Sequence, residues 1–149
     1  MAAATTTAHV DTLNSLLRGE IAATETYQQA LTKVGNEPEA MQLRRIHAEH
    51  REAANTLRQH VHKHGGKPDQ DSGAWGMFAK TVEGAAKIFG DTAALKALKE
   101  GEEHGLKQYQ EALKDGDLPA DCQTLIRTAL LPQTREHISA LDRMMASIR

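Results

Sequence analysis

Gly19-Glu20 followed by Tyr27-Gln28-Gln29-Ala30-Leu31 returns, 82 residues later, as Gly101-Glu102 followed by Tyr109-Gln110-Glu111-Ala112-Leu113. Six of the thirteen positions in the two windows are identical. In both, the apolar residues recur at spacings of three or four, the period of a helix with one buried face. Each window carries a glutamate on that face, where a core residue is expected. A shorter echo, Glu49-His50 and Glu136-His137, follows in each half. Chance likeness between helices accounts for repeated alanines and leucines, but less well for polar groups repeated on apolar stripes. The chain therefore reads as two related helical hairpins, each with Glu on its first helix and His on its second.

Outward from these windows the periodicity predicts four long helices. The first covers about residues 11–34, with stripe Leu13, Leu17, Glu20, Thr24, Tyr27 and Leu31; Asp11 suits its start and Gly35 a left-handed residue past its end. The second opens at Asn36-Glu37-Pro38 and carries Leu43, Ile46 or His47, His50, Ala54, Leu57 and Val61 up to Gly65-Gly66. The third spans about residues 91–114 with Leu95, Leu98, Glu102, Leu106, Tyr109 and Leu113. The fourth, capped by Asp121, holds Leu125, Ile126, Leu130, His137, Leu141, Met144 and Ile148. Pro132 lies inside that last pattern, which predicts a kink or bulge there.

Between the hairpins, residues 66–90 read as a crossover with a short helix around Trp75, Phe78 and Val82. The expected fold is all-α: a four-helix bundle of residues 11–149, made of hairpins 11–65 and 91–149, behind a disordered tail, 1–10. Two hairpins joined by one long crossover is ferritin-like connectivity.

Composition agrees. The 149 residues form one domain's worth of chain. Twenty-three alanines against ten valines and isoleucines, with five aromatics, disfavour a β-sandwich or barrel. A net charge of -2 gives no basic field for nucleic acid. The single cysteine, Cys122, excludes an internal disulfide framework and a cysteine-rich zinc module. The N-terminal residues lack the basic and apolar regions of a signal peptide, and no apolar run is long enough to span a bilayer. The expectation is a cytoplasmic protein with neither nucleic-acid nor membrane partners.

Glu20, His50, Glu102 and His137 carry the chemistry. A buried carboxylate needs a partner, a metal or a proton. Residues equidistant from a hairpin turn lie at one height. Glu20 and His50 are equidistant from Gly35, and Glu102 and His137 from the loop at residues 119–120. The repeat predicts that the two pairs face each other, a plausible site for Fe, Mn or Zn; the alternative is a buried Glu-His pair in each hairpin with no metal. Tyr27 and Tyr109, two turns beyond the glutamates, are expected to fill core with hydroxyls bonded to polar groups. His60, His62 and His64 read as cations at a helix C-terminus, and His9 and His104 as tail and surface.

Leu16-Leu17-Arg18-Gly19-Glu20-Ile21 and Gly101-Glu102-Glu103-His104-Gly105-Leu106-Lys107-Gln108-Tyr109 resemble an uncharacterised bacterial family of four-helix-bundle domains of unknown function within the ferritin-like superfamily. The resemblance implies the crossover bundle and a metal ion, iron before manganese or zinc, one or two per chain. It also implies iron oxidation or peroxide and stress chemistry, with O2 or peroxide as partner, and a homo-oligomer such as a dimer. One departure stands out. Ferritin-like di-iron proteins place Glu-x-x-His on helices two and four, whereas here His47 precedes His50 and Thr134 precedes His137. The expected ligands are thus Glu20, His50, Glu102 and His137, with His47 as a possible fifth and Glu49, Glu103 and Glu136 as outer groups. The rival reading is a non-catalytic structural or interaction bundle whose Glu-His pairs only stabilise the fold.

Overall fold

The structure, a computed structural model, describes residues 2–35, 37–71, 82–85, 87–90, 92–116 and 118–148, with side chains from His9 onward. All the regular structure among them is helical. Helix α1 (Ala2–Leu31) pairs with α2 (Ala40–Lys63), and α3 (Thr92–Leu113) with a fourth rod in three pieces. Those pieces are α4 (Ala120–Leu125), a π-helical turn (Ile126–Leu130) and α5 (Leu131–Ala146). This is the expected four-helix bundle with one crossover.

Three local expectations are corrected. Helix α1 begins at Ala2, so residues 2–10 prolong it where a tail was expected; their alanines are the best helix formers. Gly35 does not take a left-handed conformation; Gly65 does, at φ 83°. The reason is that α1 ends at Leu31 and turns through Thr32 and Lys33, before Gly35 is reached. Asp121 does not cap the fourth rod, whose first residue follows Pro119 without a side-chain cap. Its carboxylate instead faces Lys63, His60 and His64 at the end of α2. The expected short crossover helix lies outside the described residues.

The π-turn sits where Pro132 predicts an irregularity. Proline cannot donate to the carbonyl four residues back and its ring crowds that carbonyl. The preceding turn widens, and the Leu131 N–H donates to the Ile126 carbonyl five residues away.

The ends of the crossover are pinned along α1. Buried Asn14 donates to the Lys67 carbonyl and accepts from the Asp69 N–H, and Arg18 pairs with Asp69. In the turn just past α1, Lys33 donates to the Glu83 carbonyl and its own carbonyl accepts from Ile88 N–H. Val82, Ala85 and Ile88 bury there.

Two apolar clusters fill the interior. One gathers Leu13, Leu17, Leu57, Val61, Tyr109, Cys122 and Ile126, and the other Tyr27, Leu43, Ile46, Leu95, Leu98, Leu141 and Met144. The polar side chains of the repeat lie between them. No helix among the described residues is long and apolar enough to cross a membrane.

Candidate metal centre

Glu20, His50, Glu102 and His137 meet in the layer between the two apolar clusters, with 6, 5, 3 and 0 % of their surface exposed. Hairpin geometry places each pair. His50 Nδ1 lies 2.6 Å from Glu20 Oε2, and His137 Nδ1 lies 3.3 Å from Glu102 Oε1. The pairs then face each other: His50 Nε2 is 2.6 Å from Glu102 Oε2, and the two imidazole centroids are 4.8 Å apart.

The tyrosines link the halves. Tyr27 donates to Glu102 at 2.7 Å and Tyr109 to Glu20 at 2.6 Å. Each tyrosine stands seven residues after its own helix's glutamate, so this exchange requires α1 and α3 to run antiparallel. In a parallel arrangement each hydroxyl would miss the opposite carboxylate by two turns, roughly 10 Å. Tyr27 also stacks on His50 at 5.3 Å between centroids.

The charges follow from this packing. Burial alone would pull His50 down, but Glu102 and Glu20 outweigh it and hold the ring well above its ordinary value. Carboxylates face both of its nitrogens, so both donate, as in an imidazolium. Burial alone would raise Glu102; His50 and His137 instead hold it well below the usual carboxylate range. Burial, with Glu102 beside Tyr27 and Glu20 beside Tyr109, raises both phenols well above 10.0, so they remain donors.

Sequence reasoning underrated Glu49. Its Oε1 lies 2.7 Å from His137 Nε2, and the half-buried side chain joins the core to the surface. Burial alone would raise Glu49, yet His137 and Arg45 keep it low. The Glu49-His50 echo of Glu136-His137 was the available signal. Exposed Glu136 lies at the rim, where Arg45 bridges it to Glu49 at 2.8 and 3.1 Å. Glu103 is exposed.

Donor atoms of His50, Glu102 and His137 all lie within 4.8 Å of one another, and a second such group joins Glu49, Glu136 and His137. Two imidazoles and the flanking carboxylates suit Fe, Mn or Zn. These residues fit one divalent ion. Glu20 occupies a different position, behind His50, where its carboxylate on Nδ1 orients the ring and leaves Nε2 to face Glu102; such carboxylate–histidine pairs support metal ligands from outside. His47 belongs to neither group. Its buried Nε2 has no hydrogen-bond partner, and burial, with Arg51 and His50 nearby, pulls the ring below its ordinary value. Thr134, three residues before His137, turns its hydroxyl to the Leu130 carbonyl at 2.8 Å.

A cavity of about 40 Å³ opens beside Glu20, His50 and Glu102, with Tyr27, Gly101, Gly105 and Thr134 on its wall. One water needs roughly 10–15 Å³ on this measure, so the space admits only guests of a few atoms.

A family model described as domain of unknown function (DUF2383) matches residues 8–115. None of the curated proteins matches the chain. Among solved structures, the chain is similar to a ferritin-like, diiron-carboxylate protein from Bacillus anthracis str. Ames at 16% identity and a TM-score of 0.74. The match covers 95% of this chain and 97% of that one. At that identity the likeness establishes the ferritin-like fold.

Proposed function

The chain belongs to the DUF2383 family of domains of unknown function, and from that premise we propose that its core binds a redox-active metal ion, iron first, for oxidation by O2 or peroxide. The observation that carries this reading is the meeting of His50, Glu102 and His137 donors, fully buried, beside a cavity of about 40 Å³. A guest that small is a diatomic, a peroxide or water, not an organic substrate. Bound there, iron would supply one-electron chemistry toward such a guest.

The chain's own groups have definable parts in this. Glu102 and His137 would hold the ion from α3 and α5, with Glu49 leading to them from the surface. His50 would present Nε2 to the ion, the proton on that atom passing to solvent as the nitrogen–metal bond forms. Glu20 keeps the proton on Nδ1 and so keeps the ring oriented. Tyr27 and Tyr109 restrain the two core carboxylates by donating to them. His47 would enter as a ligand to a second ion. The missing carboxylate at Thr134 leaves fewer negative charges than two ferrous ions call for, which favours a single ion.

A second reading has its own support. Glu20, His50 and Glu102 with the two tyrosines already form a closed hydrogen-bonded network, with the His50 imidazolium in the position of a cation. On that reading the layer only orders the bundle.

The two separate on untagged protein carrying His60→Ala and His64→Ala, which removes the imidazoles that face Asp121 at the end of α2 and could hold metal of their own. Elemental analysis should find Fe, Mn or Zn in that background and lose it in Glu102→Gln/His137→Ala. Ferrous ion added without oxygen should then oxidise on exposure to O2 or peroxide faster than in buffer. Metal without turnover would leave a structural ion, and no metal in either protein would sink the proposal.

A further inference from the structure

We propose that a second metal site, for one zinc-class divalent cation, lies at the other end of the bundle and is built from His60 of α2 and His64 just past its last residue, with Asp121 and Cys122 of α4. It stands apart from the core layer, ten residues or about 15 Å along α2 from His50.

The two histidines are four residues apart, so they share one helix face, the spacing by which a helix offers two imidazoles to one ion. Their rings stack at 6.5 Å. His62, between them, points away, so the pair rather than the run of three is significant. The hairpin turn of the second half then brings two further donors, remote in sequence, onto that face. His60 Nδ1 lies 3.2 Å from Asp121 Oδ2 and 3.5 Å from Cys122 Sγ. His64 Nε2 lies 3.2 Å from each Asp121 oxygen. All four donors fall within 4.8 Å of one another.

Zinc bound at about 2.0–2.1 Å to nitrogen and about 2.3 Å to sulfur separates tetrahedral ligands by roughly 3.3–3.7 Å. The cluster therefore needs only small side-chain adjustments to close on an ion. Two imidazoles, a carboxylate and a thiolate form a set that favours zinc over hard cations. Four protein ligands leave no open position, which marks a structural site. It would tie the end of α2 to the start of the fourth rod.

Exposed Lys63, 2.9 Å from Asp121 Oδ2, is the competing cation and is free to swing off. A redox or nucleophilic cysteine fits less well here. Burial, with Asp121 beside it, pushes the Cys122 thiol up to about 12, far from the range of a reactive thiolate. Metal binding breaks the S–H bond, forms the sulfur–metal bond and releases the proton to solvent.

The test uses untagged, chelator-stripped, full-length protein titrated with Co2+. As Cys122 is the single cysteine, any thiolate-to-cobalt charge-transfer band in the near ultraviolet reports this site alone. The band should saturate at one equivalent, be absent in Cys122→Ser, and be displaced by Zn2+. Zinc affinity should fall in His60→Ala/His64→Ala by more than the about 10–100-fold that loss of an outer-shell partner costs. With the core donors removed by Glu102→Gln/His137→Ala, zinc should still raise the Tm, and adding His60→Ala/His64→Ala should abolish that rise. If buried Cys122→Ser does not fold, the half-buried His64→Gln, checked by circular dichroism, makes the comparison. No charge-transfer band in the wild type, a band that survives in folded Cys122→Ser, or undiminished zinc affinity in His64→Gln overturns the proposal.

Discussion

Tyr27 and His50 show how the buried polar layer is held. The Tyr27 hydroxyl reaches Glu102 from the opposite hairpin, a charge-assisted bond at 2.7 Å between buried groups. Tyr27→Phe should cost about 1.5–3 kcal/mol in urea unfolding, the range for hydrogen bonds to charged groups. His50 carries the pH dependence of the metal-free protein. Its value is raised in the fold, so its stabilisation is complete below the unfolded value of about 6.5 and fades as pH rises through the higher folded one. Glu102 is lowered, so its stabilisation is present above its ordinary 4.5 and fades as pH falls through the folded value. Urea midpoints measured in chelator should therefore drop on the alkaline side, and His50→Gln should flatten that limb. The four core polar residues, Glu20, His50, Glu102 and His137, were legible in the sequence because each put a polar group on an apolar stripe. Glu49 was not, because it sits at a stripe's edge and only the packing of α2 against α5 turns it onto His137.

The helices obey local rules with a few exceptions that packing explains. Gly66 follows the left-handed Gly65, and a Cβ there would stand 2.5 Å from Val10 Cγ1. Gly66→Ala should therefore cost about 1–3 kcal/mol through overpacking against α1. Gly105 is the contrasting case: it lies inside α3, and a Cβ there meets nothing within 4 Å. Gly105→Ala should gain about 0.5–1 kcal/mol from helix propensity, raising Tm by roughly 2–4 °C per kcal/mol in a calorimetric scan. The start of α1 escaped the periodicity because alanine-rich residues favour a helix without marking a face. Pro132 was readable in advance, since the loss of one N–H is a local fact.

As a whole, the bundle is two hairpins whose polar layer closes only when they dock. An ion that binds the folded core alone stabilises it by mass action, about 2.7 kcal/mol at a hundredfold excess over Kd. In the His60→Ala/His64→Ala background, Mn2+ should accordingly raise the urea midpoint, and Glu102→Gln/His137→Ala should abolish the rise. A shared midpoint shift in both proteins would place the ion elsewhere.

Helix period, hairpin symmetry and the 82-residue repeat are properties of the linear chain, and they carried the all-α bundle, its crossover and the level pairing of Glu20 with His50 and Glu102 with His137. Those inferences succeed because they rest on backbone geometry and on the cost of burying a charge. Docking supplied the rest: Glu20 behind His50 rather than beside Glu102, the crossed tyrosines, and Asp121 and Cys122 against His60 and His64. Such contacts depend on the rotation of one helix about its axis relative to a distant one. No local spacing encodes that angle; the packing of the whole interior sets it.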